Sequence, residues 1–154
     1  MRWSSLRRAV RRPFADWAVL AEAWSSLLAI DLALRLLPYR RVERLFGSVP
    51  RRSSRPASSD DVARCVWAAG AASRHHLWSM TCLPRAFCLR CLLARRGVAG
   101  ILRIGVARDE RRLLAHAWIE WDGKPLGEAE ESVARFAPLL GGEEADRAVS
   151  LLSS

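Results

Sequence analysis

Lysine is almost absent from this chain: Lys124 is the single one among 25 basic side chains, the other 24 being arginine. Cysteine is sparse too, with Cys65, Cys82, Cys88 and Cys91 the only four in 154 residues. That excludes a disulfide-stapled framework, which belongs to smaller and more cysteine-dense chains. A long uninterrupted apolar run is missing, since the most apolar stretch, residues 17–37, is broken by Glu22, Asp31 and Arg35. A charge at the centre of a spanning helix costs about 2.5–3.5 kcal/mol, so stable membrane insertion is not expected. No apolar segment with a small-residue cleavage site opens the chain, so no secretory signal is expected either. The expectation is a cytoplasmic protein with reduced thiols. Internal repeats and a disorder-type composition are also lacking, and 51% hydrophobic residues suffice for one compact domain.

What is present is an uneven charge. The net +9 divides into +8 over residues 1–55, +6 over 56–112 and −5 over 113–154. A basic body with an acidic end carries the electrostatic footprint of nucleic-acid binding. No DNA- or RNA-binding motif accompanies it, however, and no nucleic-acid partner is expected. Arginines interleaved with a helical apolar stripe read instead as a solvated face, or as a groove for an acidic peptide or protein.

Pro13 suits the first turn of a helix in which Trp17, Leu20, Ala21, Trp24, Leu27 and Leu28 recur at 3–4 spacing until Pro38 stops it. A short second helix at 40–46 closes at Gly47. Residues 48–59 hold two prolines, five serines and three arginines and read as a linker. They divide an N-terminal helical region, 1–55, a candidate for binding a partner, from a core, 56–154, the two together forming one compact unit. In that core, Ser58 or Ser59 caps a helix with Asp60 and Asp61 in its first turn and Val62, Cys65, Val66 and Ala69 inward. A connection at 73–80 precedes a stronger helix at 82–96, closed by Gly97. Beyond Ala99 the apolar period changes from 3.6 to 2, which predicts strands at 100–107, 113–121 and 124–128, then a final helix at 143–152. The fold class is α+β, with helices first and a small antiparallel sheet after.

The chemistry concentrates in residues 79–128. Cys82 stands at a helix start, with Thr81 or Cys82 itself as N-cap and Pro84 in the first turn, where a missing N–H costs nothing. The positive end of the helix dipole favours a thiolate there, and the unpaired N–H groups, that of Cys82 included, can hold an oxyanion. A nucleophile needs a base, and the base needs an orienting group. His116, in His116-Ala117-Trp118-Ile119-Glu120, is the candidate base. A three-residue loop Trp121-Asp122-Gly123 would pair Glu120 with Lys124 and set His116 opposite Glu128, with Cβ atoms about 4.5–5.5 Å apart. A two-residue loop would turn Glu128 to the other face. Asp122, the alternative third member, lies six strand residues from His116, roughly 20 Å at about 3.3 Å each.

Cys82-Leu83-Pro84-Arg85-Ala86, then Leu92-Leu93-Ala94-Arg95-Arg96-Gly97-Val98, the strand Leu102-Arg103-Ile104-Gly105-Val106, and His116 onward to Lys124-Pro125-Leu126-Gly127-Glu128 resemble the leader peptidases of lasso-peptide biosynthesis. Those enzymes are transglutaminase-like, papain-related cysteine hydrolases, here in their stand-alone form. The resemblance is dense over 79–128 and looser over 13–72. It implies that Cys82 attacks a peptide carbonyl of a ribosomally made precursor and releases its leader, while His116 relays the proton and an acid orients the ring. That acid is usually Asp in the family, so Glu128 departs from the pattern. The resemblance also implies three partners: the precursor, a small leader-recognition protein and a lasso cyclase. Region 1–55 becomes a candidate for binding leader as well as partner. No metal or organic cofactor is implied. The alternatives are a transglutaminase-like acyltransferase using the same three residues, or a basic, non-enzymatic binding module in which Cys82 and His116 are incidental.

Other polar residues receive plainer expectations. Cys88 and Cys91 share a Cys-x-x-Cys spacing but lie inside a helix without a second pair, so they read as core rather than zinc ligands, as does Cys65. His75 and His76 are expected to be exposed and idle, the alternative being that one of them helps hold the active-site loop. Trp118 shares the His116 face by period 2, either shielding the imidazole or as a plain core aromatic. Trp78, Ser79 and Thr81 are the neighbours from which a second oxyanion donor would come, without a choice among them.

Overall fold

A computed structural model describes residues 14–47, 57–109 and 112–139. The expected helix at 143–152, the arginine-rich first twelve residues and most of the 48–59 linker lie outside the described residues. Five helices and four strands follow in the order α1 (Phe14–Leu36), α2 (Tyr39–Gly47), α3 (Ser59–Arg74), α4 (Cys82–Arg95), β1 (Ile101–Asp109), β2 (Arg112–Trp121), β3 (Lys124–Pro125), α5 (Glu130–Ala134) and β4 (Ala137–Pro138). The architecture is α+β, as the change of period predicts.

Helix boundaries sit where local chemistry puts them. Leu37 N–H still bonds the Ala33 carbonyl at 2.8 Å, and Pro38, without an N–H, ends α1 there. Ser58 is the cap of α3: its hydroxyl accepts from Asp61 N–H at 3.2 Å, and the Asp61 carboxylate accepts from Ser58 N–H at 3.0 Å. Gly97, at φ 79°, closes α4. Its N–H bonds the Ala94 carbonyl at 2.9 Å and Val98 N–H bonds that of Leu93 at 3.0 Å, a Schellman closure.

Val19, Ala23, Leu27 and Ile30 form the buried stripe of α1 and share one core with Cys65, Ala68 and Ala69 of α3, Phe87, Cys88 and Leu92 of α4, and Ile104, Ala117 and Ile119 of the sheet. By length and composition α1 could cross a membrane, yet its acids are all partnered within the fold. Asp16 accepts from Arg64 at 2.7 Å, Glu22 from Arg95 and Arg96 at 2.7 and 2.9 Å, and Asp31 from Arg35 at 2.7 Å. Burial pushes the Glu22 carboxyl up, but the hydrogen bonds and charges of the two arginines outweigh it and hold the group below its usual range. Several arginines thus serve as internal clamps rather than as a solvated face.

The sheet order is β3-β2-β1-β4, all neighbours antiparallel. Its hairpin differs from the expected one. Trp121 pairs with Lys124 and Glu120 with Pro125, so the loop is the two residues Asp122 and Gly123. Both have positive φ, 52° and 75°, the type I′ geometry whose twist suits adjoining strands. The predicted three-residue loop is therefore incorrect, as is a third strand running to 128: β3 ends at Pro125. Helix α5 and strand β4 had no counterpart in the sequence reading, their segments being only five and two residues long.

Candidate active site

Helix α4 presents Cys82 as its first residue, behind an extended Thr81 cap (φ −75°, ψ 171°) whose hydroxyl makes no capping bond. The first turn carries no acid, in contrast to α3 with Asp60 and Asp61, so the positive helix end stays available to a thiolate or an oxyanion. Cys82 is partly exposed, whereas Cys65, Cys88 and Cys91 are buried. Burial pushes Cys65 and Cys91 each up to about 11 and Cys88 up as well. Cys88 and Cys91 donate to different carbonyls, those of Ala23 and Phe46, both at 3.4 Å, which places them in helix packing. Iodoacetamide applied to the native protein is therefore expected to modify Cys82 alone, with intact-mass and peptide mapping as the readout. Comparable labelling of any other cysteine would show that burial does not protect it.

His116 comes from β2, where Gly105 of β1 is its cross-strand partner. The missing side chain makes room: a Cβ on Gly105 would lie 2.9 Å from Phe136 Cβ and 3.0 Å from both the Ala137 carbonyl and the Trp118 ring. Phe136 and Trp118 flank the imidazole at centroid distances of 5.1 and 6.0 Å. Trp118 is buried and donates its indole N–H to Glu120 at 3.1 Å, so it is both core and a wall against water.

The imidazole bridges two partners. Its Nε2 lies 2.6 Å from Glu128 Oε2, and the Cys82 side chain is near enough to raise the pKa of the ring. With Nε2 committed to the carboxylate, Nδ1 is the nitrogen left to serve the thiol. Interaction with Cys82 and then with the Glu128 carboxylate outweighs desolvation and pushes His116 up to about 9. These partners favour the charged form of the ring.

Glu128 reaches His116 by a route the hairpin arithmetic does not contain. Leu126 N–H still bonds the Ile119 carbonyl at 2.8 Å, continuing the two-residue-loop register, which by itself would turn Glu128 away. Gly127, at φ 75°, then takes the chain out of the ladder and delivers Glu128 to the ring. Its backbone approaches α3 so closely that a Cβ would sit 2.8 Å from Val66 Cγ1. Sequence reasoning missed Gly127, although an isolated glycine in a strand pattern is a signal for a bulge or break. Asp122 stays exposed at the hairpin tip, away from the imidazole.

The connection ahead of Cys82 packs against α1. His75 is exposed, but His76 is not idle: it stacks on Trp24 at 4.8 Å and meets Trp78 edge-on at 5.4 Å. Trp78 in turn donates its indole N–H to Asp31 at 3.0 Å, which removes that group as a second oxyanion donor. Among the described residues, no cluster of three or more His, Cys, Asp or Glu could hold a metal ion.

Comparison with protein families matches the transglutaminase-like superfamily model over residues 24–141, from within α1 to beyond β4. No curated protein and no solved structure matches the chain. The superfamily typically comprises cysteine-based enzymes, in keeping with a cysteine hydrolase or acyltransferase type of activity. With the matched range covering the helices, the sheet and all three residues of the Cys82–His116–Glu128 cluster, the chain belongs to the transglutaminase-like superfamily.

Proposed function

We propose that the protein is a cysteine endopeptidase that removes the leader peptide from a lasso-peptide precursor in the cytoplasm, together with a separate leader-recognition protein and ahead of a cyclase. The observation that carries the chemistry is the single imidazole held between a partly exposed thiol and a carboxylate. The leader-peptidase reading is supported by the motif run from Cys82 to Glu128.

In this mechanism the Cys82 sulfur attacks the scissile carbonyl as a thiolate, and its proton resides on His116. The oxyanion forms at the N-terminus of α4, where the Cys82 backbone N–H is the nearest donor. Collapse of the tetrahedral adduct breaks the C–N bond, and the imidazolium gives its proton to the departing amine. The freed imidazole then takes a proton from water, which hydrolyses the thioester and regenerates the thiol. Glu128 keeps the ring oriented and stabilises its charged form. An amine in place of water would make the same site an acyltransferase, and product masses separate the two. A basic binding module is the weaker reading, since Arg64, Arg95, Arg96 and Arg103 are tied to acids of the same fold.

The test is a cleavage assay on a candidate precursor with its recognition protein present, followed by mass spectrometry. Cys82→Ala is expected to abolish leader release without unfolding the protein. Undiminished cleavage by that variant would remove the peptidase reading.

A further inference from the structure

Beside the nucleophile lies a cleft of about 250 Å³ between the C-terminal half of α1 and the start of α4. Its lining includes Thr81 and Leu83, the residues immediately before and after Cys82, which puts it at the same helix start as the thiol although Cys82 itself does not line it. Leu34, Leu83 and Pro84 contribute apolar lining, and Ser79, Thr81 and the Asp31–Arg35 pair contribute polar lining.

Arg35 is built into this cleft rather than waving over it. Its Nε donates to Asp31 at 2.7 Å, and its guanidinium carbon lies 5.4 Å from the centre of the Trp78 ring. Asp31 is only 6% exposed and also accepts the Trp78 indole N–H, so one buried carboxylate fixes both the cation and the ring beneath it. His76, wedged between Trp24 and Trp78, braces that ring from behind. Once Nε is used, the four N–H bonds on the two terminal nitrogens of Arg35 have no partner among the described residues, and the side chain remains 59% exposed. A guanidinium oriented by a buried acid and stacked on an indole, with its outer fork open, is arranged to take a carboxylate through two parallel hydrogen bonds.

We propose that this cleft is a substrate subsite selecting an acidic side chain in the peptide that lies across Cys82, with Arg35 as the recognising cation and Asp31 and Trp78 as its positioning residues. The inference rests on the reading of Cys82 as the nucleophile. It adds a specificity element that the Cys82–His116–Glu128 cluster does not contain.

The experiment uses capped tripeptide vinyl sulfones in which one Glu, one Gln or one Lys is moved through the three positions of an alanine parent. Labelling of Cys82 in the full chain is followed by intact mass, and each rate is divided by the same protein's rate with iodoacetamide, which cancels changes in the thiol itself. At one position Glu is expected to outpace Gln by about tenfold or more, the worth of a charge-assisted pair. Arg35→Gln should bring that ratio close to one, and Arg35→Glu should favour Lys at the same position. Should Arg35→Gln fold poorly with Asp31 left half-paired, Asp31→Asn/Arg35→Gln removes both charges while keeping an acceptor for Trp78. No Glu preference at any position, or one that survives in the arginine variants, overturns the subsite. Labelling of Cys82 by iodoacetamide at the same rate in His116→Ala as in the parent would instead overturn the nucleophile, and the subsite with it.

Discussion

Replacing His116 by alanine is expected to slow turnover at Cys82 by about 1,000-fold or more, within the range removed with a positioned general acid–base group. The loss should fall on kcat, because in the proposed mechanism the imidazole acts on the reacting atoms and does not line the cleft proposed to take the peptide. Two steps suffer together. The thiol loses the base that shares its proton, and the leaving amine loses its acid. The pH profile reports the same group. Contact with Cys82 and Glu128 raises His116 to about 9, so the imidazolium persists across the neutral range and acylation should decline as pH rises through about 9. Because the folded-state value lies above the ordinary 6.5, stability linked to this proton is fully present below about 6.5 and drains away as pH rises through about 9. His116→Ala should remove that alkaline loss of stability. A basic limb near 6.5 in the parent protein, or an unaltered limb in Glu128→Gln, would contradict the assignment of this proton to the bridge between Cys82 and Glu128.

The second large effect is expected from the pair Gly127 and Glu128. Glu128→Gln keeps a hydrogen-bonding group but removes the charge that holds the imidazolium, and should slow turnover on the order of 100-fold. That is less than the ~10,000-fold that loss of a triad acid can cost a serine nucleophile, because a thiol ionises with less help. Asp122→Asn should change little, since Asp122 is exposed at the hairpin tip and asparagine is at ease at its φ of 52°. Gly127→Ala tests the delivery of the acid. The new Cβ adds left-handed strain of about 1–2 kcal/mol and lies 2.8 Å from Val66 Cγ1. The chain is expected to shift away from α3 and carry Glu128 from the ring, lowering both Tm and kcat. Val66→Ala in the same protein relieves the contact but not the strain, so partial recovery of both quantities is expected. Full activity in Gly127→Ala alone would mean that Glu128 reaches His116 without that turn.

Much of the helical part was legible because its signals are local. Pro38, Ser58 with Asp61, and Gly97 each act within a few residues, and the apolar spacing of α1 and α4 names the faces that enter the core. The sheet was legible as a pattern but not in register. Residues 121–124 admit loops of two or three residues, and the choice depends on whether Asp122 accepts a positive φ beside Gly123. The reading that placed Glu128 opposite His116 used the wrong loop. The contact exists because Gly127 abandons the ladder one residue before the acid, at a point where its backbone packs closely on Val66, a helix residue some sixty positions earlier in the chain.

By itself, then, the sequence determined an α+β chain, the placing of Cys82 at a helix start and of His116 on a strand, and the burial of the remaining cysteines. Each of these follows from periodicity, capping residues and turn chemistry, which act over a few bonds. Only the tertiary structure decided which carboxylate meets the imidazole, that Gly105 leaves room for Phe136 beside it, and that Asp31 holds Arg35 and Trp78 together at a cleft by the start of α4. Those outcomes depend on atoms distant in sequence competing for the same few ångströms, and no local pattern encodes the result of that competition.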